Sequence, residues 1–397
     1  FTVLARKSRI SLRKRFLRRI LESMAYKIEF LPNSDIASLK AFHKTVYRPS
    51  HILLRDEFLE WYTKGSPFYK NSTFGEKSQY PILVARNNRV IVGQWICQPS
   101  IFNFYGQTFS MIWLSNFLIS PDWRHRGLGG FFIEALLRQQ LADIFGANMI
   151  TPEVAKLMTH YGYCYTKLDR YLVILSPEAL ELVRHNQDLK IKKRIKDLAA
   201  SSNNRRRKDI VLIKQVAVFG DSYDHFWVNR FAKSCLGTAR TAAFLNWRYF
   251  SDPFLRYRCF VVADREDILG LIILRVELIR GTRLRVCRLV EFFSEQGVVE
   301  PAIDFIVDYA RRHKCVFIDY HNLYSGFDKE WFKAGALKNG VLAGELPRLT
   351  QPPSYENFII NAVFLNKSEV IPPECFLDWG QWYTTSGDAD QDRKNFS

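Results

Sequence analysis

The chain of 397 residues is 47% hydrophobic, 15% aromatic and 24% charged, which excludes wholesale disorder and is enough for about two domains. Its formal net charge of +17 invites a nucleic-acid reading, but the excess is confined to two segments. Residues 1–24 hold eight Arg and Lys against Glu22, and residues 184–208 hold ten against Asp188 and Asp197. The rest is close to neutral, so no folded domain advertises a groove for a DNA backbone.

Residues 1–24 form a basic N-terminal extension that begins without Met. Three readings stay open for it: sequence upstream of a start at Met24, a basic helix lying on anionic lipid, or an acid-poor transit-type segment. From Tyr26 the pattern predicts a strand, a helix around 36–47 and an aromatic-rich helical piece near 56–63. Apolar strands follow at 82–85, 90–96 and 111–119, with Asn87-Asn88 and Tyr105-Gly106 as turns. The period then switches, with Phe132, Ala135, Leu136 and Leu141 at helical spacing behind Gly127, Gly129 and Gly130. A strand at 148–150, a helix over 152–160 and a strand over 168–175 close a first unit, 25–177.

Residues 178–209 read as a basic helical linker ending in the flexible composition SSNNRRRKD. A second unit, 210–366, repeats the element order of the first. Helix 223–234 leads to strands at 257–263, 269–276 and 284–293, then helix 300–313, strand 316–320 and helix 329–337. Two blocks of like length and order predict a duplicated fold, with 367–397 left as a C-terminal tail. The seven cysteines stand singly and no Cys or His has metal-ligand spacing, so a reducing cytosol and no metal are expected. The apolar run 268–274 ends at Arg275, far short of the ~20 residues a membrane helix needs.

The sharpest feature is Arg124-His125-Arg126-Gly127-Leu128-Gly129-Gly130, after an apolar strand and at the start of an amphipathic helix. Glycines let the N–H groups of Gly127, Leu128, Gly129 and Gly130 converge, and a helix N-terminus adds partial positive charge, which together make a pyrophosphate cradle. Arg124 and Arg126 can add charge-assisted contacts. Each contribution is about 0.3–1 kcal/mol, and several together suffice for a dianion. An ordinary glycine-rich helix start is the plain alternative. The GxGxxG spacing of dinucleotide folds and the Lys-Ser/Thr ending of a Walker loop are both absent.

The arrangement resembles motif A of the GNAT acyltransferase superfamily, Arg/Gln-x-x-Gly-x-Gly/Ala, matched by Arg124, Gly127 and Gly129. Pro121 after Phe117-Leu118-Ile119 and the later His160-Tyr161-Gly162-Tyr163 are similar to that family's pattern, over about residues 26–176. The resemblance implies an α/β (α+β) fold of two tandem GNAT-like domains, each a mixed, mostly antiparallel sheet flanked by helices. It also implies acetyl-CoA or another acyl-CoA as acyl donor, its pyrophosphate on Arg124 to Gly130, His125 included. The pantetheine arm would pair beside Asn116, Phe117, Leu118 and Ile119, and an amine would attack the thioester. The family's Tyr general acid, four residues before Gly162, is replaced by Met158. Tyr161 and Tyr163 are the substitute acids expected, beside His160 and Tyr165, with Asn116 and Glu153 as organiser or base. Losing an acid costs about 10² to 10⁴ in rate, whereas positioning supplies about 7–11 kcal/mol, so activity is still expected.

In the second unit only Gly297 stands where the cradle would be, and Glu295 and Glu300 would repel phosphate. That unit is expected to have lost the coenzyme site and to shape the acceptor pocket. FLNWRYFSDP at 244–253 and WYTTSGDADQD at 382–392 resemble stretches of two-domain GNAT-type proteins of bacterial surface-polysaccharide clusters. This implies an amino-sugar or other small-amine acceptor, with Trp247 stacking, Arg248 donating, and Asp388 and Asp390 holding an ammonium or hydroxyls. A buried Trp with an internal salt bridge and a solvated acidic tail are the plain alternatives. The expectation is a cytoplasmic acyl-CoA-dependent N-acyltransferase, with a peripheral membrane contact through the basic extension and linker left open. An aminoacyl or peptidyl transferase using aminoacyl-tRNA, and a non-catalytic coenzyme A-binding regulator, are the alternatives.

Overall fold

The computed structural model describes residues 26–185, 187–203, 211–265, 267–350, 353–355, 360–389 and 392–394; the basic extension at 1–24 lies outside them. Strands β1 (Tyr26–Pro32), β2 (Gln79–Asn87), β3 (Val90–Phe104) and β4 (Gln107–Ile119) form an antiparallel meander. Positive φ at Asn88, Tyr105 and Gly106 makes its two tight turns. Helix Leu128–Arg138 then crosses over and returns the chain as β5 (Ile144–Asn148), parallel to β4. Phe131, Phe132, Ile133 and Leu136 of that helix are buried in one cluster with Trp95, Leu114 and Phe145. Helix Pro152–His160 follows, then β6 (Cys164–Ile174).

The linker is helical over Leu189–Asn203, with Ile195 and Ala199 buried in the cluster that holds Leu172 and Ile174 of β6. The second half runs through β7 (Leu212–Val216), β8 (Leu236–Thr238), β9 (Arg258–Asp264), β10 (Asp267–Leu278) and β11 (Arg285–Ser294). Helix Val299–Arg312 crosses to β12 (Cys315–Asn322), which is parallel to β11. Short pieces β13 (Leu337–Lys338), β14 (Leu349–Thr350) and β15 (Pro353–Ser354) precede β16 (Ile360–Asn366) and β17 (Trp382–Tyr383). Among the described residues no helix is long and apolar enough to cross a membrane, and no group of His, Cys, Asp and Glu could hold a metal.

The two halves do not separate where the sequence places the boundary. The strand order is β1-β2-β3-β4-β5-β16-β6-β12-β11-β10-β9-β7. Residues 360–366, read as the end of the second unit, lie between β5 and β6 of the first. β6 in turn serves both halves: Cys164 to Leu168 pair with β16, and Asp169 to Ile174 pair with β12. The described part of 367–397 is no free tail either, because Trp382, Tyr383, Thr384, Thr385 and Asp388 are fully buried. Side-chain alternation shows where strands are, but which distant strand fills a gap depends on pairings that no local pattern encodes.

Candidate active site

The β4–β5 ladder stops early. Met111 to Leu114 pair with Ile144 to Ala147, and beyond that point the strands part. Among the described residues no strand pairs with that side of Ser115 to Ile119, whose other side is held by β3. One extra residue on β4 between the pairs Ile96↔Ser115 and Gln94↔Leu118 makes a bulge, and Asn116 takes φ +51 there. The result is a kinked strand edge that no described strand pairs on the split side. An extended amide chain fits such an edge.

The glycine loop stands at the far end of this edge. Gly127 caps the helix at φ +78 and His125 has φ +60, so the chain turns sharply before the first helical N–H groups. The Gly130 N–H is already given to the Gly127 carbonyl at 3.0 Å, which narrows the expected four-group cradle to the groups before it. Gly129 and Gly130 have a second reason to be glycine. A Cβ at Gly129 would lie 2.9 Å from Leu157, and one at Gly130 2.6 Å from the Tyr161 hydroxyl, so both allow close packing of the neighbouring helix. Arg124, His125, Arg126 and Gly127 are exposed. Arg124 Nε donates to the Ile119 carbonyl at 3.1 Å, tying the loop to the end of the open edge, and the Arg126 guanidinium sits 4.9 Å over Trp123.

At the bulge the structure assembles residues that the sequence did not single out. His43 is buried on helix Ile36–Val46, and its Nε2 donates to Gln94 Oε1 at 2.6 Å. Gln94 Nε2 donates in turn to Tyr47 Oη at 3.2 Å and to the Asn116 carbonyl at 3.4 Å. The His51 ring stacks on Tyr47 at 3.8 Å, and its Nδ1 accepts the Leu53 N–H at 3.3 Å. Burial, and then the charges of Arg393, His43 and Arg48, bring His51 down to about 3, so its ring stays neutral and its second nitrogen keeps a proton. Arg393 reaches in from the C-terminal segment and donates to Asn116 Oδ1 at 2.9 Å. Ser115 Oγ, one residue before the bulge, is hydrogen-bonded to Tyr62 Oη at 2.9 Å. These groups come from places 43 to 393, a spacing no motif would reveal.

Several sequence-predicted residues lie elsewhere. Met158 is fully buried in the helix-side core, so the position of the expected acid is a packing site. Tyr163 is buried in the same cluster and its hydroxyl has no partner; burial pushes its phenol far up, and it cannot meet a substrate without leaving the core. Tyr161 is half-buried against the glycine helix, its hydroxyl 3.4 Å from Glu134 Oε1, and burial and Glu134 push it up to about 12. Glu153 is exposed in the first turn of its helix, behind the Thr151 cap, and its own backbone N–H followed by Thr151 lowers its carboxyl, which faces water. Phe117 packs against Trp95 at 4.7 Å and Phe132 at 5.5 Å, while Leu118 and Ile119 stay on the open edge.

Three of the four expected acceptor residues have other roles. Trp247 and Trp61 exchange indole-to-carbonyl hydrogen bonds of 3.0 and 3.2 Å with rings 5.3 Å apart, which bolts the two halves together and leaves no face for a sugar. Arg248 is buried and gives Nε to the Gly387 carbonyl at 3.0 Å and Nη2 to the Asp392 carbonyl at 2.9 Å. Asp388 is fully buried under a two-pronged contact from Arg240, at 3.0 and 2.8 Å. Asp390 lies outside the described residues.

The second half repeats the split but fills it. β11 and β12 pair only as far as Leu289 and Tyr320, and β11 carries an extra residue at Val290 opposite β10. Into the gap comes Tyr383, whose hydroxyl accepts the Phe292 N–H at 3.0 Å and donates to Glu291 Oε2 at 2.8 Å. Arg240 and Tyr249 take Glu291 Oε1 at 3.0 and 2.5 Å. The backbone edge that a pantetheine arm would use is therefore occupied by the chain itself.

An open split after a bulged strand, ending at a glycine-capped helix, defines a class of fold: the chain has the fold of the GCN5-related N-acetyltransferases. A GCN5-related N-acetyltransferase of Anabaena variabilis superposes over 87% of this chain and 73% of its own, with a TM-score of 0.56 at 12% identity. A conserved protein of Enterococcus faecalis described as a probable N-acyltransferase covers 87% and 73%, with a TM-score of 0.50 at 14% identity. N-myristoyltransferase of Saccharomyces cerevisiae, solved with bound myristoyl-CoA, covers 86% and 83%, with a TM-score of 0.50 at 9% identity. No family model and no curated protein matches the sequence.

Proposed function

We propose that the protein is an acyl-CoA-dependent N-acyltransferase with one coenzyme site, in the first half, and a small amine, such as an amino sugar, as acceptor. The observation that carries this reading is the β4 edge beyond Leu114, which no described strand pairs on the split side, which leads to the glycine-capped helix and which lacks the plug that closes its counterpart. The residues present fit an acyl-CoA. Arg124, Arg126 and the first N–H groups of the helix would hold the pyrophosphate, and the β4 edge would hold the pantetheine amides. Acyl-CoA supplies an activated carbonyl carbon to which the acceptor nitrogen bonds as the carbon–sulfur bond breaks. A thiol of pKa about 8.5 leaves tolerably without an acid, in keeping with Met158 where the resemblance implies Tyr.

The chain's own contribution is positional. Gln94, fixed by His43 on one side, holds the Asn116 carbonyl and so fixes the bulge that breaks the ladder. His51 stays neutral and offers a proton donor rather than a cation or a base at neutral pH. The acceptor must therefore arrive as, or lose a proton to solvent to become, a neutral amine.

Calorimetric titration with acyl-CoA of increasing chain length, beside an Arg124→Glu/Arg126→Glu variant, tests the reading. Both side chains are exposed, so the variant keeps the fold. Wild-type binding at one site, weakened at least about 100-fold in the variant, is expected. No binding of any acyl-CoA by the wild type sinks it. Gly129→Glu would be a poor probe, since its side chain would strike Leu157 before any phosphate.

A further inference from the structure

Where β5 ends, the seam between the halves gathers four basic side chains: Arg170 of β6, Arg288 of β11, His321 of β12 and Arg348 of the loop after helix Val341–Glu345. All four are buried. Two of them are saturated. Arg170 gives Nε to Asp319 at 2.7 Å and its other nitrogens to the carbonyls of Leu346 and Pro347, both at 3.0 Å, and of Ala343. Arg288 donates to Asp319, to Glu277 at 3.4 Å and to the Arg348 carbonyl. These two arginines fasten the loop to the sheet, and the loop thereby aims the third arginine.

Arg348 is in a different condition. Its side chain is 6% exposed, its Nε has no hydrogen-bond partner, and its Nη1 reaches only the Met149 sulfur at 3.4 Å, a weak acceptor. His321, 5% exposed, has an equally unpartnered Nε2. The carboxylates of the cluster are committed elsewhere: Asp319 to Arg170 and Arg288, Glu277 to Arg288 and Arg275. The charges acting on Arg348 are those of Arg288 and Arg170, which with the larger effect of burial bring it down to about 10. Burial first, then Arg170, Arg348 and Arg288, push His321 well below its ordinary value. A buried guanidinium facing only like charge is unfavourable until an anion joins it.

We propose that Arg348 and His321 form an oxyanion pocket for the acceptor, so that the amine acylated here carries a carboxylate or a phosphate. The place suits that role. Met149 is the residue after β5, turned by φ +52, two places beyond the last β4–β5 pair, Leu114↔Ala147. An anion on Arg348, which touches Met149, would thus lie beside the end of β5, where the split opens. Naming the anion's bearer as the acceptor rests on the acyltransferase reading; the pocket itself does not.

The test uses the full chain, phosphate-free, in thermal unfolding with added inorganic phosphate or acetate against chloride at equal ionic strength. The wild type is expected to gain melting temperature saturably with one of the two anions, and which one acts separates a phosphate from a carboxylate acceptor. Arg348→Gln removes the gain, and without added anion it melts no lower than the wild type, because it deletes an uncompensated charge. His321→Asn reduces the gain. A lower melting temperature of Arg348→Gln in chloride would mark the residue as structural and overturn the proposal, as would equal gains in both proteins or none in the wild type. In turnover, Arg348→Gln should raise the KM of a phosphorylated or carboxylated amine by about tenfold or more and leave that of a neutral-ring amine unchanged. Loss of transfer to every amine with the anion response intact would refute the acyltransferase reading and leave the pocket standing.

Discussion

Taking one oxygen from Tyr383 tests whether the second split is closed by specific bonds or by bulk alone. Tyr383→Phe keeps the ring, which is fully buried against Phe293 at 5.3 Å and Phe231 at 5.4 Å, so no cavity of note opens. What disappears is the bridge between the Phe292 N–H and Glu291 Oε2. A hydrogen bond to a charged acceptor contributes about 1.5–3 kcal/mol, and a stranded buried N–H costs about 1–3 kcal/mol more. Relaxation recovers part of this, so a loss of about 3 kcal/mol is expected. Urea unfolding measures it, with an unchanged m-value as the sign that the native state is intact. Tyr105→Phe, in an exposed turn, is the control and should stay within about 0.5 kcal/mol. A loss under about 1 kcal/mol for Tyr383→Phe would refute the claim that the hydroxyl closes the split.

Asp388→Ala takes from buried Arg240 one of its two carboxylates, leaving Glu291 and the Thr238 carbonyl; a loss of about 3–5 kcal/mol is expected from chemical unfolding. At the bulge, Asn116→Gly and Asn116→Val both give up the Arg393 hydrogen bond, but only the valine is strained at φ +51, so Asn116→Val should be less stable than Asn116→Gly by about 1–2 kcal/mol in urea unfolding. For pH, the sign follows from His51 being lower when folded than when unfolded. As pH falls below about 6.5 the unfolded chain takes up the proton first, so stability declines from there toward pH 3. His51→Gln should flatten that decline by less than about 1.4 kcal/mol per pH unit, because the ring is part-exposed; an unchanged profile would refute the assignment.

Local chemistry was legible in the sequence where a single segment carries it. The loop Arg124 to Gly130, the strand before it and the helix after it stand where periodicity and glycine placement put them. The repeated element order was also legible, because each half writes its own strands and helices with the same alternation. Site residues that depend on long-range meetings were not. His43, Gln94 and Arg393 become a cluster only because helix Ile36–Val46, β3 and the C-terminal segment converge on one bulge. Trp247, Arg248 and Asp388 misled in the opposite way: aromatic and charged side chains look like ligand contacts, yet here they satisfy one another across a buried seam. Nothing in residue type separates an indole that binds a sugar from one that locks two halves together.

The insertion of β16 between β5 and β6 has a consequence for how the molecule is made. The sheet holding β4 and β5 stays incomplete until residue 366 has left the ribosome, although β5 ends at residue 148. At about 5–20 residues per second, that interval lasts roughly 10–40 s. Throughout it the nascent first half presents two unpaired strand edges side by side, a template for pairing with any neighbouring chain. Chain release before β16 should therefore yield aggregates rather than a smaller working protein.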